Sequence, residues 1–432
     1  MLWCQVRQLK SPPLYDSADS SLDRSSFTMA SHRVFTLFWT IVIPFSILID
    51  ADVFFPSNYQ LPRALSPRQA GNECKLPAGS VYLSEGFGSD ATFVASTGVV
   101  KAAVIFIDFP DAPATDSVQA LYDNILPGGA QFYNISSYGQ LELEAVSDMQ
   151  FHRMPQASSW YGYNRETFTS DIQLRYITDA IAASGSGTSY AGCEVLYIIP
   201  TQAASAIGFS PTFMGEATLG DGTRVKSAVT FGQDHWTWGY KVLNHETGHA
   251  MGLPDLYPLG AEGLPTEYYV GGWDVMGLIS GTSPDLFAWH KWKFGWISDD
   301  QVACMSAQGT STFTISPIER AEGVKAVAVR VSDTLLIVME VRSNEGLNVD
   351  SCSLGLLLYS VDTAAESGAG PVRVINTKPQ SGGCDASRGG ELTSAAHDFA
   401  QGEAMFGVPE YGINVQVTGI EDGNYQVSVT WQ

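Results

Sequence analysis

The stretch WGYKVLNHETGHAMGLPDLY, residues 238–257, constrains this chain more than any other part of it. From Tyr240 to Met251 the only helix breaker is Gly248, and Val242, Leu243 and Met251 supply an apolar side, so a helix is expected. On it His245 and His249 stand one turn apart on a single face, the spacing at which two imidazoles share a zinc ion. Glu246 is directed toward the same site, where it can take a proton from a water and return it to a leaving amine. Gly252 and Pro254 end the helix. A glycine there permits a positive φ, which turns the chain back and brings Asp255 beneath the metal. Asp255 is the candidate third ligand, leaving a fourth position open to water. The other role open to it is to accept a hydrogen bond from one of the histidines. Composition alone yields an HExxH match in such a chain with a chance on the order of 1%. Gly252 and Asp255, three and six places beyond His249, reduce coincidence much further.

The 432 residues suffice for two or three domains. The first 51 residues carry four basic and four acidic side chains, so the net charge of -22 falls entirely on residues 52–432. A surface of that sign repels phosphate backbones and anionic lipid, which argues against nucleic-acid or peripheral membrane binding. Acidity serves solubility. A calcium site is open in principle, but no Asp-x-Asp-x-Asp-Gly loop supports one.

Val34 to Ile49 is a 16-residue apolar run with Pro44 inside, preceded by His32 and Arg33. It is short for a membrane span and suits a secretory signal core, with a cut after Ala51. The expected signal peptide is therefore residues 1–51, with a true start at Met29 as the alternative; an uncleaved anchor is the competing assignment. Residues 52–95 are rich in Pro, Ser and Gly and are expected to be a propeptide or an N-terminal extension, with Arg63 and Arg68 as weak processing sites. Cys4 would leave with the signal segment. Export favours disulfides among Cys74, Cys193, Cys304, Cys352 and Cys384, with one thiol left over. Cys352 with Cys384 is the best pair, both lying in one C-terminal segment. Cys74 is either a disulfide partner or a thiolate that caps the metal. Asn134-Ile135-Ser136 is a glycosylation sequon.

At Val100 the texture changes. VKAAVIFIDF is a continuous apolar run, expected as a strand buried on both faces. Residues 116–138 look helical but broken at Pro127-Gly128-Gly129, and QLELEAV alternates like a strand. SDIQLRYITDAIAAS opens with a Ser/Asp cap and places Ile172, Tyr176 and Ala180 on one helical face. CEVLYIIP and RVKSAVTFG are further strands, so residues 96–298 form an α/β or α+β region. Beyond it, STFTISPI, VKAVAVRV, TLLIVMEVR, SLGLLLYSVD, GPVRVINT, INVQVTG and YQVSVTW are short β-like runs separated by turn residues. They predict an all-β, sandwich-like C-terminal domain over residues 299–432.

HETGHAMGLPDLY resembles the zinc motif of the immune inhibitor A family of secreted metallopeptidases, and that of the small snapalysins. Both use HExxHxxGxxD, with Asp where typical metzincins place a third His. The likeness continues through IDFPD, SYGQLEL, GGWDVMG with LFAWHKWKFGWI, and MEVRSNEG before LLLYSVD, covering residues 95–432. That length is similar to the immune inhibitor A type. The resemblance implies a zincin-like α+β catalytic domain and a Met-turn at Met276, forming an apolar floor beneath the ligands. Many metzincins carry a tyrosine two places after that methionine. Here Leu278 stands there, and Tyr257, Tyr268 and Tyr269 are the alternatives.

The expected protein is thus a secreted zinc endopeptidase acting on proteins or peptides, with His245, His249 and Asp255 on one Zn2+ and Glu246 as general base. No stable membrane association is expected after signal removal. The rival is a non-catalytic secreted binding protein that keeps a structural zinc site. No GxSxG marks a serine nucleophile. His235, Trp236 and Trp238 either line a cleft or pack at a helix start, and His152, His290 and His397 are most simply surface or core histidines.

Overall fold

A computed structural model describes residues 53–54, 71–88, 91–260 and 263–432. The chain falls into two units, Met1–Ile47 and Leu48–Gln432, and every described residue belongs to the second. Val34–Ile49, the cut after Ala51, the start at Met29, Cys4, Arg63 and Arg68 lie outside the described residues. Among the described residues no helix is long and apolar enough to cross a membrane.

The apolar run after Val100 forms the strand Gly98–Asp108 within a seven-stranded sheet. Cys193–Pro200, Ser227–Thr230, Thr212–Phe213 and Val53–Phe54 come in order on one side; Leu141–Val146 and Phe151–Arg153 share its other edge. Pairing is parallel throughout except between Thr212–Phe213 and Ser227–Thr230. Val100, Ala102, Val104 and Phe106 enter one apolar layer, and Ala103, Ile105 and Ile107 another. Because side chains alternate across a strand, burial on both faces requires apolar residues at both parities.

The helix Ser170–Ser184 covers the second layer. Its cap is Thr169, whose side chain accepts from Ile172 N, rather than the expected Ser/Asp pair. Its buried face carries Gln173, Tyr176, Ile177 and Ala180, while Ile172 is only half-buried. Gln173 holds a core position because its amide donates to Pro211 O and Thr230 Oγ1, at 2.9 and 3.0 Å.

On the opposite face lie the helices Val118–Ser136 and Tyr240–Ala250. The expected break at Pro127-Gly128-Gly129 is corrected: the first of these helices runs through all three residues. A Cβ on Gly128 would fall 2.5 Å from the Tyr240 ring, and one on Gly129 would fall 2.7 Å from Leu243. The glycines serve the close approach of two helices, not a turn.

Every C-terminal β-like run contains a strand, and Val302–Met305 and Met405–Val408 join them. Five of these strands form one sheet (302–305, 326–330, 335–342, 355–362, 372–374) and four form an antiparallel second (309–315, 424–431, 413–421, 405–408). The two stack through Val327, Ile337, Met339 and Leu358 against Val415, Val417, Val427 and Val429. Through Ala326, Ala328, Leu336, Val338 and Tyr359 the five-stranded sheet also shares an apolar layer with the Tyr240–Ala250 helix and the first sheet. The architecture is a mixed α/β one, with several sheets and few helices.

Cys352 pairs with Cys384 as expected, and Cys74 pairs with Cys304. The second bridge spans 230 residues, a loop whose closure is worth about 5 kcal/mol in the chain-entropy account. It also removes Cys74 as a metal-capping thiolate. Cys193 is the buried free cysteine among the described residues, its thiol pushed up to about 11 by burial. Two disulfides fit an oxidising or extracellular environment.

Candidate metal centre

The helix Tyr240–Ala250 starts at Gly239, whose φ of 59° redirects the chain from the preceding turn His235–Trp238. Val242 and Leu243 are wholly buried, each contributing about 1.5–3 kcal/mol of apolar burial. Tyr133 donates to Asn244 O at 2.6 Å, and the hydroxyls of Tyr197 and Thr247 lie 2.7 Å apart. The helix is therefore anchored on two sides before any metal is considered. Gly252 adopts φ 98°, and a Cβ there would meet the Phe93 ring at 2.7 Å. That turn sends Asp255 back under the helix.

His245 and His249 present their Nε2 atoms to each other at 3.1 Å, and Asp255 Oδ1 lies 3.3 and 3.1 Å from the two nitrogens. All three side chains are buried, and together they form a group able to hold a metal ion. The Nδ1 atoms face the other way. His245 Nδ1 donates to Val275 O and His249 Nδ1 to Leu253 O, both at 2.8 Å. Two neutral imidazoles oriented this way have bare Nε2 lone pairs. Asp255 Oδ1 has no hydrogen-bond donor among the described residues. Three electron-rich atoms thus converge with no proton between them, which is repulsive unless a cation sits there.

The rest of Asp255 is tied to a distant loop. Ser367 Oγ donates to its Oδ2 at 3.2 Å and accepts from its N–H at 2.9 Å, while Gly368 N donates to its carbonyl at 3.0 Å. Glu246 is wholly buried beside the histidines. Thr212, on the short strand Thr212–Phe213, donates its hydroxyl to Glu246 Oε2 at 2.6 Å and lies 3.0 Å from Glu246 O. Met276 is buried against Gly248, where a Cβ would fall 2.5 Å from its sulfur. The glycine in HETGH is what lets that sulfur lie against the helix backbone.

Of the tyrosine alternatives, Tyr257 is buried with its ring stacked 6.0 Å from the His245 ring. Tyr268 is half exposed, and Tyr269 lies under Arg373. His235 is buried, its ring 4.7 Å from that of Trp236 and tilted by 38°, and its pKa is held down at about 4 chiefly by desolvation; Trp236 and Trp238 pack at the core margin. His152 pairs with Asp148, and His397 stacks on Phe406. His290 is a core histidine, but it lies between two buried carboxylates. Thr212, Ser367 and the carbonyl of Val275 carry no sequence signal, because each acts through a contact with a residue far away in the chain. No family model matches this chain, and no curated protein matches it.

Proposed function

We propose that the protein is a secreted zinc endopeptidase of immune inhibitor A type, with a zincin-like catalytic region and a C-terminal sandwich. The observation that carries this is the convergence of His245 Nε2, His249 Nε2 and Asp255 Oδ1 at 3.1–3.3 Å. Bonds of about 2.0–2.1 Å at the tetrahedral angle place adjacent ligand atoms about 3.3 Å apart, so the donor set suits zinc in both kind and spacing. When bound, zinc supplies Lewis acidity, which acidifies water and polarises a carbonyl. Glu246 accepts the proton of the attacking water and delivers it to the departing amine. Thr212 holds the Glu246 carboxylate in one orientation for both transfers. The Nδ1–H bonds to Val275 and Leu253 keep both imidazoles in one tautomer.

The test is metal analysis of the purified protein together with casein digestion in the presence and absence of a chelator. One zinc per chain is expected, with digestion abolished by chelation and restored by added zinc. Chelator-indifferent digestion, or no zinc, rejects the proposal. The burial of all four side chains favours one alternative, a binding protein whose zinc is structural. That alternative predicts zinc without digestion.

Thr212→Val removes a hydroxyl and little volume. It is expected to lower kcat about 10- to 100-fold through a loosened Glu246, with KM nearly unchanged and Thr212→Ser restoring most of the rate. A kcat within twofold of the unaltered protein shows that the hydroxyl has no such role.

A further inference from the structure

Residues 71–95 contain Glu85, a wholly buried carboxylate. Its Oε1 lies 2.9 Å from His290 Nε2, and His290 Nδ1 lies 2.8 Å from Asp274 Oδ2. Carboxylates only accept when ionised, so both ring nitrogens donate and the imidazole is charged. Burial alone would lower its pKa; Glu85 and Asp274 outweigh that and raise it to about 10. Asp274 then accepts from Met276 N at 2.8 Å through Oδ1 and from Phe287 N at 2.7 Å through Oδ2. Between Asp274 and Met276 stands Val275, whose carbonyl receives His245 Nδ1. A continuous chain of hydrogen bonds thus runs from Glu85 to the loop that aims one of the histidines.

A second tie reaches the other end of the metal helix. Lys293 Nζ donates to Ser84 O at 2.6 Å and to Gly252 O at 2.9 Å, joining the N-terminal segment to the turn that returns Asp255. Val94 N donates to Ala250 O at 2.9 Å, and Phe93 closes over Gly252. Trp289 Nε1 donates to Glu85 O at 3.0 Å, Phe87 meets the rings of Trp289 and Trp292, and Cys74 is bonded to Cys304. Loss of this segment would take Glu85 from His290 and the Ser84 carbonyl from Lys293, leaving each buried charge with one partner fewer, an expensive outcome in the interior.

We infer that Glu85 is a positioning residue for the metal centre, acting through His290 and Asp274, and that residues 72–94 are a permanent part of the working protein, so any maturation cut falls before Asn72. This rests on the zinc assignment above, and its tests read metal affinity and chain composition rather than turnover.

Glu85→Ala in the full chain is expected to raise the zinc dissociation constant, measured by chelator competition, about tenfold or more. Glu85→Gln keeps an acceptor for His290 and is expected to recover most of the affinity. Zinc binding at unaltered affinity in a Glu85→Ala protein, whether or not its Tm falls, overturns the positioning role. Where Glu85→Ala does not fold, equal zinc affinity in Glu85→Gln and His290→Gln proteins overturns it. Intact mass of the zinc-loaded protein, before and after reduction, is expected to include residues 72–94; a loaded form beginning beyond Val94 overturns the second half. If the unaltered protein binds zinc but digests nothing, the peptidase assignment fails while both of these results stand.

Discussion

Glu246→Gln is expected to bind one zinc as tightly as the unaltered protein and to lose peptide hydrolysis by about 10³-fold, within the range attributed to a positioned general base. The substitution keeps the volume and one carbonyl oxygen, so Thr212 still has an acceptor for its hydroxyl where it now meets Oε2 at 2.6 Å. What disappears is basicity, because an amide does not take up a proton near neutral pH. The metal-facing atoms of His245, His249 and Asp255 are untouched, and their anchors at Val275, Leu253 and Ser367 remain. The paired readout is zinc content by metal analysis and kcat/KM on a peptide substrate. Hydrolysis within tenfold of the unaltered rate removes Glu246 from the mechanism; loss of zinc as well means that the change disturbed the site and not the base.

Asp255→Ala is expected to weaken zinc binding by well over 100-fold. The sequence leaves two roles open for Asp255, and this variant separates them. A partner that only orients a histidine costs about 10- to 100-fold in affinity, whereas loss of one ligand of three costs more. Stability gives an independent readout. Zinc at a thousand times its dissociation constant stabilises a fold by about 4.1 kcal/mol, and a hundredfold weaker site under the same zinc retains about 1.4 kcal/mol. The metal-free variant is expected to melt no lower than the metal-free parent, since the Asp255 backbone still bonds to Ser367 and Gly368. A zinc-induced rise in Tm equal to that of the parent refutes Asp255 as a ligand.

Legibility in the sequence divides by distance along the chain. His245, Glu246 and His249 are one helical turn, so their spacing carries their geometry, and Gly252 signals the turn after them. Strands buried on both faces announce themselves as apolar runs, as VKAAVIFIDF does. Pro127-Gly128-Gly129 misleads because local propensity favours a break there, whereas the deciding contact is with Tyr240 and Leu243 on another helix. Gln173 escapes notice for the same reason: a polar residue enters a core only when distant partners satisfy it. Thr212, Glu85 and Ser367 are alike in this. Each is a common residue in an ordinary stretch, and its partner near the centre lies 34, 205 or 112 residues away.

The last of those separations has a temporal meaning. A ribosome that has just released Tyr257 has already made every residue of the metal-facing set, yet the loop carrying Ser367 and Gly368 is more than a hundred residues from being synthesised. Until it emerges, Asp255 lacks the hydroxyl and amide that hold it in place. The nascent chain therefore carries an unfinished centre while the 111 residues from Pro258 to Gly368 are made. The centre closes only once Gly368 has been made, after four strands of the five-stranded sheet and just ahead of its edge strand Val372–Val374.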